Sequence, residues 1–259
     1  MIDIHSHLIP NVDDGSSGLE SSIKYLKFME EVGVETLVLT PHFIRDSLDY
    51  FEDIDRNFRI LSDTCKKENI KIKLVLAKEV LLYPTILEDI EKYKLNIPGT
   101  NYILVETHFQ KFPEFFDETM YSLLKNGYRP ILAHPERYVS IMENIELAEE
   151  LMHRNILLQI NSGSFFGLYG RKVRRTVNKL LKKGYCHFIA GDFHAHADNY
   201  SLHNAVALIE NNIDVFSADL LSKVNPAKML NNEDIQIFYV DKIIPKDNLI
   251  SKIKRIFNI

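Results

Sequence analysis

The first seventeen residues read MIDIHSHLIPNVDDGSS (1–17), and they decide how the rest of the chain is understood. Ile2 and Ile4 alternate with Asp3 and His5 as in a short strand, and that strand runs out into a second imidazole, His7. Residues two apart in a strand project to the same side, so His5 and His7 can address one point in space. An acidic, glycine-containing turn, Asp13-Asp14-Gly15, follows directly. Such a strand adds little to a core and much to a site.

The pattern recurs. Short apolar runs at about 2–6, 35–40, 72–79, 101–106, 130–134, 156–161 and 187–191 alternate with helical patterns at about 18–32, 52–68, 84–93, 114–126, 141–154 and 170–183. That alternation predicts an α/β fold with a parallel sheet or barrel. Gly127 and Gly184 stand where helices should end before the next strand. A last helical region covers about 200–231, and no linker or repeat divides the chain, so one domain is expected over 1–231 with 232–259 as a tail packed on it or extending from it. Each strand ends in a polar side chain: His5 and His7, His42 after Thr40-Pro41, Glu79, Glu106, His134, Asn161, then Asp192 and His194. In α/β barrels the carboxyl rim of the strands carries the chemistry.

Bulk properties narrow the class. With 259 residues, 46% of them hydrophobic, a sizeable core is expected. The net charge of −5 argues against non-specific nucleic-acid binding. Two cysteines, Cys65 and Cys186, offer no disulfide framework and fit a reducing compartment. No basic and apolar leader is seen. The longest apolar runs, such as LVLT (37–40) and ILLQI (156–160), are far shorter than the ~20 residues of a membrane span. These features predict a soluble cytoplasmic protein.

The rim set His5, His7, His42, Glu79, Glu106, His134, Asp192 and His194 holds five imidazoles and three carboxylates, without a thiolate. Mixed N/O donors suit Mn, Fe or Zn rather than a structural cysteine-type zinc site. Eight ligands exceed one ion's needs, so two or three ions sharing a carboxylate are expected, the usual arrangement for displacement at phosphorus. Any one of these histidines alone reads as an ordinary hydrogen-bonded residue. Their recurrence at successive strand ends is what makes a metal site. His153 reads as a partner of a helix C-terminus, His187 lies at the wrong end of its strand, and His108, His196 and His203 fall outside the pattern.

Arg137, in His134-Pro135-Glu136-Arg137, stands just past a ligand and suits bidentate phosphate contact, with a salt bridge to Glu136 or Glu143 as the plain alternative. Asn161–Gly167 (NSGSFFG) reads as a loop, either wrapping a substrate or merely connecting. Asn225-Pro226 reads as a helix N-cap with Pro at the first helical position. Phe109, Phe112, Phe115, Phe165 and Phe166 suggest an aromatic rim that favours an aryl phosphate. Neither cysteine is followed six residues later by arginine, and no G-x-S-x-G elbow, P-loop or G-x-G-x-x-G is present.

In order, IDIHSH, DDG, TPH, Glu79, Glu106, HPER, the NSGS loop and GDFH resemble the PHP (polymerase and histidinol phosphatase) superfamily. More narrowly they resemble the bacterial manganese-dependent tyrosine-protein phosphatases of capsule and exopolysaccharide operons, over about residues 1–231. The resemblance implies a distorted (β/α)₇ TIM-like barrel and about three ions, Mn²⁺ foremost with Fe or Zn possible. It assigns His5, His7, Glu79 and Asp192 to one ion. Glu79 as bridge, Glu106 and His134 serve a second, and Asp14, His42 and His194 a third. Arg137 would hold the phosphate, with Asp192 and His42 also counted as catalytic, and a metal-bound hydroxide would attack directly without a phosphoenzyme. The implied substrate is phosphotyrosine, on a bacterial kinase of polysaccharide export; a small-molecule phosphatase of the histidinol-phosphate type is the alternative. Relatives commonly carry a second phosphate-facing arginine after the D-x-H motif, whereas residues 194–200 read HAHADNY. His196 or Arg171-Lys172 would have to supply that charge. Lys78 also departs, standing where relatives usually carry a small or amide residue.

The tail from Lys246 to Ile259 is basic, with Ile250, Ile253 and Phe257 on one helical face. It reads either as a final helix packed on the domain or as a weak, salt-sensitive contact with an anionic membrane surface.

Overall fold

The computed structural model describes residues 1–47, 51–195 and 199–236. Nine parallel strand segments carry it: β1 (Ile2–Asp3), β2 (Thr36–Leu39), β3 (His42–Phe43), β4 (Lys73–Leu76), β5 (Glu79–Leu81), β6 (Tyr102–Glu106), β7 (Arg129–Ala133), β8 (Leu157–Asn161) and β9 (Phe188–Ala190). They pair as two sheets, β1-β2-β4 and β3-β5-β6-β7-β8-β9. Between them run α1 (Leu19–Glu31), α2 (Phe51–Lys67), α3 (Ile86–Tyr93), α4 (Phe116–Lys125), α5 (Val139–Glu143), α6 (Glu146–His153), α7 (Ser162–Phe165) and α8 (Arg171–Lys183). After β9 come α9 (Leu202–Asn212), α10 (Val215–Asp219), a π-helical turn at Leu220–Val224 and α11 (Asn225–Leu230). Parallel strands are covered on both faces, which is why β7 and β8 are largely apolar and buried from Pro130 to Ala133 and from Leu157 to Asn161, with the polar Gln159 and Asn161 as exceptions in character. The helices turn one stripe inward, as α8 does with Val173, Thr176, Val177, Leu180 and Leu181.

The strand expected at 35–40 appears as β2, with a separate short strand, β3, beyond Thr40-Pro41, and the strand expected at 72–79 breaks into β4 and β5 at Ala77-Lys78. Pro41 has no N–H to donate, so the ladder loses a rung there. Single bonds span the gap, Ala77 N to Leu39 O at 2.8 Å and Glu79 N to Pro41 O at 3.2 Å. At the other edge, an isolated parallel bridge pairs Ser6 with Phe193, and Asp192 N donates to His5 O at 2.8 Å. The buried Asp3 carboxylate pins this junction, accepting from Gly191 N at 2.9 Å and Tyr200 OH at 3.0 Å. Burial, only partly offset by these bonds, pushes its carboxyl up to about 6. A side chain on Gly191 would put its Cβ 2.5 Å from Asp3 Oδ2, so the close approach needs glycine.

Three local expectations change. The helix expected over 141–154 is split into α5 and α6 at Asn144, whose backbone is extended; asparagine competes with helix through its own backbone bonds. The segment expected as a loop at 161–167 contains the buried turn α7. Asn225 is no N-cap: it sits inside helical backbone and its buried Nδ2 donates to His187 O at 2.8 Å. Of the tail, residues 232–236 lie against the start of β6 and β7, where Tyr102 OH donates to Glu233 O at 2.6 Å. The basic stretch 246–259 lies outside the described residues.

Candidate metal centre

The nine residues singled out as ligands meet at one end of the sheets, most of them at or past a strand's carboxyl end, while His42 and Glu79 open β3 and β5 just beyond the ends of β2 and β4. His5 and His7 come from the end of β1, Asp14 from the turn after it, His42 from β3 and Glu79 from β5. Glu106 closes β6, His134 follows β7, and Asp192 and His194 follow β9. Two of these hold left-handed backbone without being glycine, His134 at φ 38° and Asp192 at φ 46°, a costly geometry that gathers at functional sites. Gly15 lets the acidic turn fold back on β1, since a Cβ there would fall 1.9 Å from His7 O.

The innermost point is Glu79, whose Oε2 is buried and has no hydrogen bond. Three imidazole nitrogens converge on it: His42 Nδ1 at 3.1 Å, His5 Nε2 at 3.2 Å and His7 Nε2 at 3.4 Å. Its Oε1 lies 2.8 Å from His134 Nε2. Donor atoms gather in three groups, namely His5-His7-Asp192, His42-Glu79-Glu106, and His7-Asp14-His42-His194. His42 therefore stands between the second and third groups, and His134 lies nearer Glu79 than Glu106, at 2.8 Å against 3.8 Å.

The outer partners fix which nitrogens face inward. His7 Nδ1 lies 2.7 Å from Asp13 Oδ2; a carboxylate only accepts, so Nδ1 carries the hydrogen and Nε2 the lone pair. For His5 the same conclusion follows through a relay. Asp192 Oδ2 accepts from Asn161 Nδ2. Asn161 Oδ1 then accepts from Gln159 Nε2 at 2.8 Å, leaving Gln159 Oε1 to accept from His5 Nδ1 at 2.8 Å. In the neutral rings, the lone pairs of His5 Nε2 and His7 Nε2 then face each other 3.2 Å apart, an arrangement that a cation between them relieves. The residues fit a metal: a buried carboxylate oxygen without a hydrogen bond, inward lone pairs, and donors that are all imidazole or carboxylate.

Electrostatics agree. Burial works against charge on His5, but Glu79 and Asp192 outweigh it and hold the ring above the ordinary imidazole range. Burial likewise opposes His7 and His42, yet Asp13, Asp192 and Glu79 hold the first well above that range, and Asp14, Glu106 and Glu79 the second. Glu79 is pushed well below the carboxylate range because His5, His134 and His42 overcome its burial. The field that would retain protons here equally attracts a divalent cation.

Above the ligands opens a cavity of about 480 Å³. Seven of the nine line it, and His5 and His7 lie beneath. Arg137 reaches its wall, with its guanidinium carbon 4.3 Å from the centres of both the Phe109 and Tyr169 rings. Its Nη1 lies 3.3 Å from Asp192 Oδ2, which also accepts from Tyr169 OH at 3.2 Å. Glu136 instead turns inward, accepting from Ser164 Oγ at 2.6 Å and Asn161 N at 2.8 Å. The alternative of a salt bridge from Arg137 to Glu136 or Glu143 does not form; among the described residues Arg137 pairs with Asp192. Of the five phenylalanines, Phe109 lines the cavity and Phe166 a recess beside it; Phe112 stacks on Phe116 at 4.3 Å and Phe165 is buried. His108 and His203 do not line the cavity, nor do Arg171 and Lys172, and His196 lies outside the described residues. Asp13, Gln159 and Tyr169 are supporting residues that the sequence pattern did not assign, and Asn161, a strand-end polar residue in that pattern, serves as the support of Asp192. A polar Gln159 in the middle of the apolar run ILLQI was the one available signal.

The family profile for capsular polysaccharide synthesis, CpsB/CapC, matches residues 1–231. Tyrosine-protein phosphatase YwqE of Bacillus subtilis strain 168 is 29% identical over 248 residues, covering 91% of this chain and 93% of that protein. CapC of Staphylococcus aureus is 32% identical over 199 residues, covering 75% and 77%. Among solved structures, a chain from the crystal structures of YwqE from Bacillus subtilis and CpsB from Streptococcus pneumoniae, described as unique metal-dependent tyrosine phosphatases, superposes with a TM-score of 0.84 at 28% identity, covering 96% of this chain and 100% of that one. The chain belongs to the CpsB/CapC family of capsular polysaccharide synthesis.

Proposed function

We propose that this protein is a metal-dependent tyrosine-protein phosphatase. The observation that carries the reading is the buried Glu79 Oε2, without a hydrogen bond and ringed by three imidazole nitrogens at 3.1–3.4 Å. Membership in a family whose relatives bear that activity supports it. So does the two-sheet arrangement, bridged across Pro41 and at Ser6–Phe193, which we read as a distorted seven-position barrel forming one domain over 1–231.

Three ions are proposed. His5, His7, Glu79 and Asp192 would hold one. Glu79, Glu106 and His134 would hold a second, and Asp14, His42 and His194 a third, with His42 close enough to Glu106 to serve either. Manganese is the proposed metal, and iron and zinc suit the same donors. When bound, such ions acidify a water and neutralise phosphoryl oxygens.

The chain's own residues do the rest. Arg137, gripped between Phe109 and Tyr169, would donate to the non-bridging phosphate oxygens. Asp192 divides its work: Oδ1 faces His5 and His7 at 3.4 and 3.5 Å, while Oδ2 ties down Arg137, Tyr169 and Asn161. It therefore couples ion position to phosphate position. His42 joins the buried and open parts of the ligand set. Ile44, Phe109 and Leu168 give the cavity apolar walls suited to an aromatic leaving group. A cytoplasmic tyrosine kinase of polysaccharide export is the proposed phosphoprotein partner.

Metal content by elemental analysis, and turnover of phosphotyrosyl peptide, phosphoseryl peptide and histidinol phosphate with manganese before and after chelation, test the reading. Preference for the phosphotyrosyl peptide with metal-dependent turnover is expected. Chelator-insensitive turnover, or preference for histidinol phosphate, would overturn it.

A further inference from the structure

Helix α8 is an electrostatic outlier. Seven of the chain's 31 basic residues fall within Arg171–Lys183 and no acidic residue does, leaving 24 basic against 36 acidic residues elsewhere. Arg171, Arg174, Arg175, Lys179 and Lys182 lie along one outward face and are exposed. None of these five forms an ion pair among the described residues, whereas several other surface cations are matched, such as Lys27 with Glu68, Arg154 with Asp117 and Lys223 with Asp219. Even within α8, Lys183 pairs with Glu146 at 3.0 Å. Cations without an ion pair among the described residues, such as Lys24, Lys71 and Lys125, are exposed elsewhere too, but α8 gathers five on one face of a helix that carries no acidic residue.

The strip begins at the wall of the cavity. Leu168 and Tyr169 line the cavity, and α8 starts at Arg171. The Arg174 stem lies against Gly167, and the helix packs on the 135–137 turn that carries Arg137. Phe166 and Leu168 are exposed at the junction and line a recess that adjoins the cavity.

We infer that the basic face of α8 is a docking strip for anionic side chains flanking the phosphotyrosine of the substrate, an inference that rests on the phosphatase reading. From Arg171 to Lys182 the helix spans about 16 Å, the reach of about five residues of extended peptide. A segment leaving the cavity would cross the Phe166–Leu168 edge and then lay aspartate, glutamate or a second phosphotyrosine along the strip. A peptide fits better than a bilayer. An extended anionic sheet would also meet surface beyond the strip, where the rest of the chain is net acidic, while a short segment touches the strip alone. Exposed pairs of this kind act mainly through salt-dependent association.

The test uses the full chain loaded with manganese and two phosphotyrosyl peptides, one with Asp and Glu within five residues of the phosphotyrosine and one with Asn and Gln instead. The acidic peptide should show kcat/KM about tenfold higher at low salt, converging with the neutral one as salt rises. In R175E/K179E/K182E the ratio should fall to unity or invert, while turnover of p-nitrophenyl phosphate, too small to reach the strip, stays at the wild-type level. R175Q/K179Q/K182Q should lie between. Anisotropy of the labelled acidic peptide reads docking independently of turnover: binding lost on charge reversal, in a protein that hydrolyses no phosphotyrosine, would retain the strip and discard the phosphatase reading. Equal rates for both peptides in the wild type overturn the strip, as does a ratio unchanged in the charge-reversed protein. Equal rates together with sedimentation on phosphatidylglycerol vesicles, lost in R175E/K179E/K182E, would assign the face to lipid instead.

Discussion

The inner and outer parts of the ligand set are built differently. His5, His7 and Asp192 have side chains 0–2% exposed, and each has a named outer partner: Gln159, Asp13 and Asn161. Asp14, His42 and His194 border the cavity, with side chains 68%, 24% and 16% exposed. Buried donors must be oriented before a metal arrives, because nothing but protein can satisfy them. Donors on the cavity side are partly solvated, and water can share in satisfying them. The inner group should therefore hold its ion tightly as part of the folded core, and the outer group should hold one that exchanges.

The strongest test of that contrast is removal of an inner donor. His5→Ala, Glu79→Ala and Asp192→Ala should each lower phosphatase turnover by more than ~10²-fold and reduce metal content, since the nucleophile depends on the ions. Near-wild-type turnover with metal retained in any of them would break the assignment. Arg137→Ala should differ in kind, costing ~2–4 kcal/mol in kcat/KM while metal content is unchanged. Metal loss on this substitution would make the arginine a support for Asp192 rather than a phosphate ligand.

The relay offers a sharper probe. Gln159→Leu removes the acceptor that keeps the hydrogen on His5 Nδ1, and such outer-partner losses weaken metal affinity ~10–100-fold. Titration of chelator-stripped protein with manganese reads the change, and an unaltered affinity would show that the tautomer is set elsewhere. Asp14→Ala should cost less, about tenfold in turnover, recoverable with excess manganese because the ion it helps hold exchanges. Failure to recover at saturating metal would place Asp14 with the inner group.

The smallest effect comes from the dipeptide Lys78-Glu79, two buried charges with opposite surroundings. Glu79 is ringed by imidazoles. Lys78 is 5% exposed, and among the described residues its Nζ donates to Lys94 O at 3.4 Å and stands 5.5 Å from the centre of the Phe51 ring. Burial lowers its pKa to about 8 from 10.5. A lysine with a depressed folded value is penalised fully below about pH 8, and the penalty is relieved as pH rises toward the unfolded value. Lys78→Met should therefore stabilise the fold at pH 7 by about 1–3 kcal/mol, with the gain shrinking above pH 9. Denaturant unfolding at both pH values checks this, and a destabilised variant would mean Lys78 has a compensating partner.

The α/β class and the gathering of eight polar side chains near strand ends were legible in the amino-acid order, because strand alternation and strand-end position are local properties. Asp14 was not among them by spacing and entered only by resemblance. Other features could not be read from the chain alone. The separate β3 beyond Pro41 and the break of the third expected strand at Ala77-Lys78 depend on which strands lie side by side. Glu136 and Arg137 are neighbours in sequence, yet one turns into the core to meet Ser164 and the other stands between Phe109 and Tyr169. The charges of α8 are plain in sequence, but their start at the cavity wall is not. Gln159 acquires its role through Asn161 and Asp192, 2 and 33 positions away. In each case the deciding contact joins groups distant along the chain, and burial, which makes an unmatched donor or charge expensive, is a property of the packed whole.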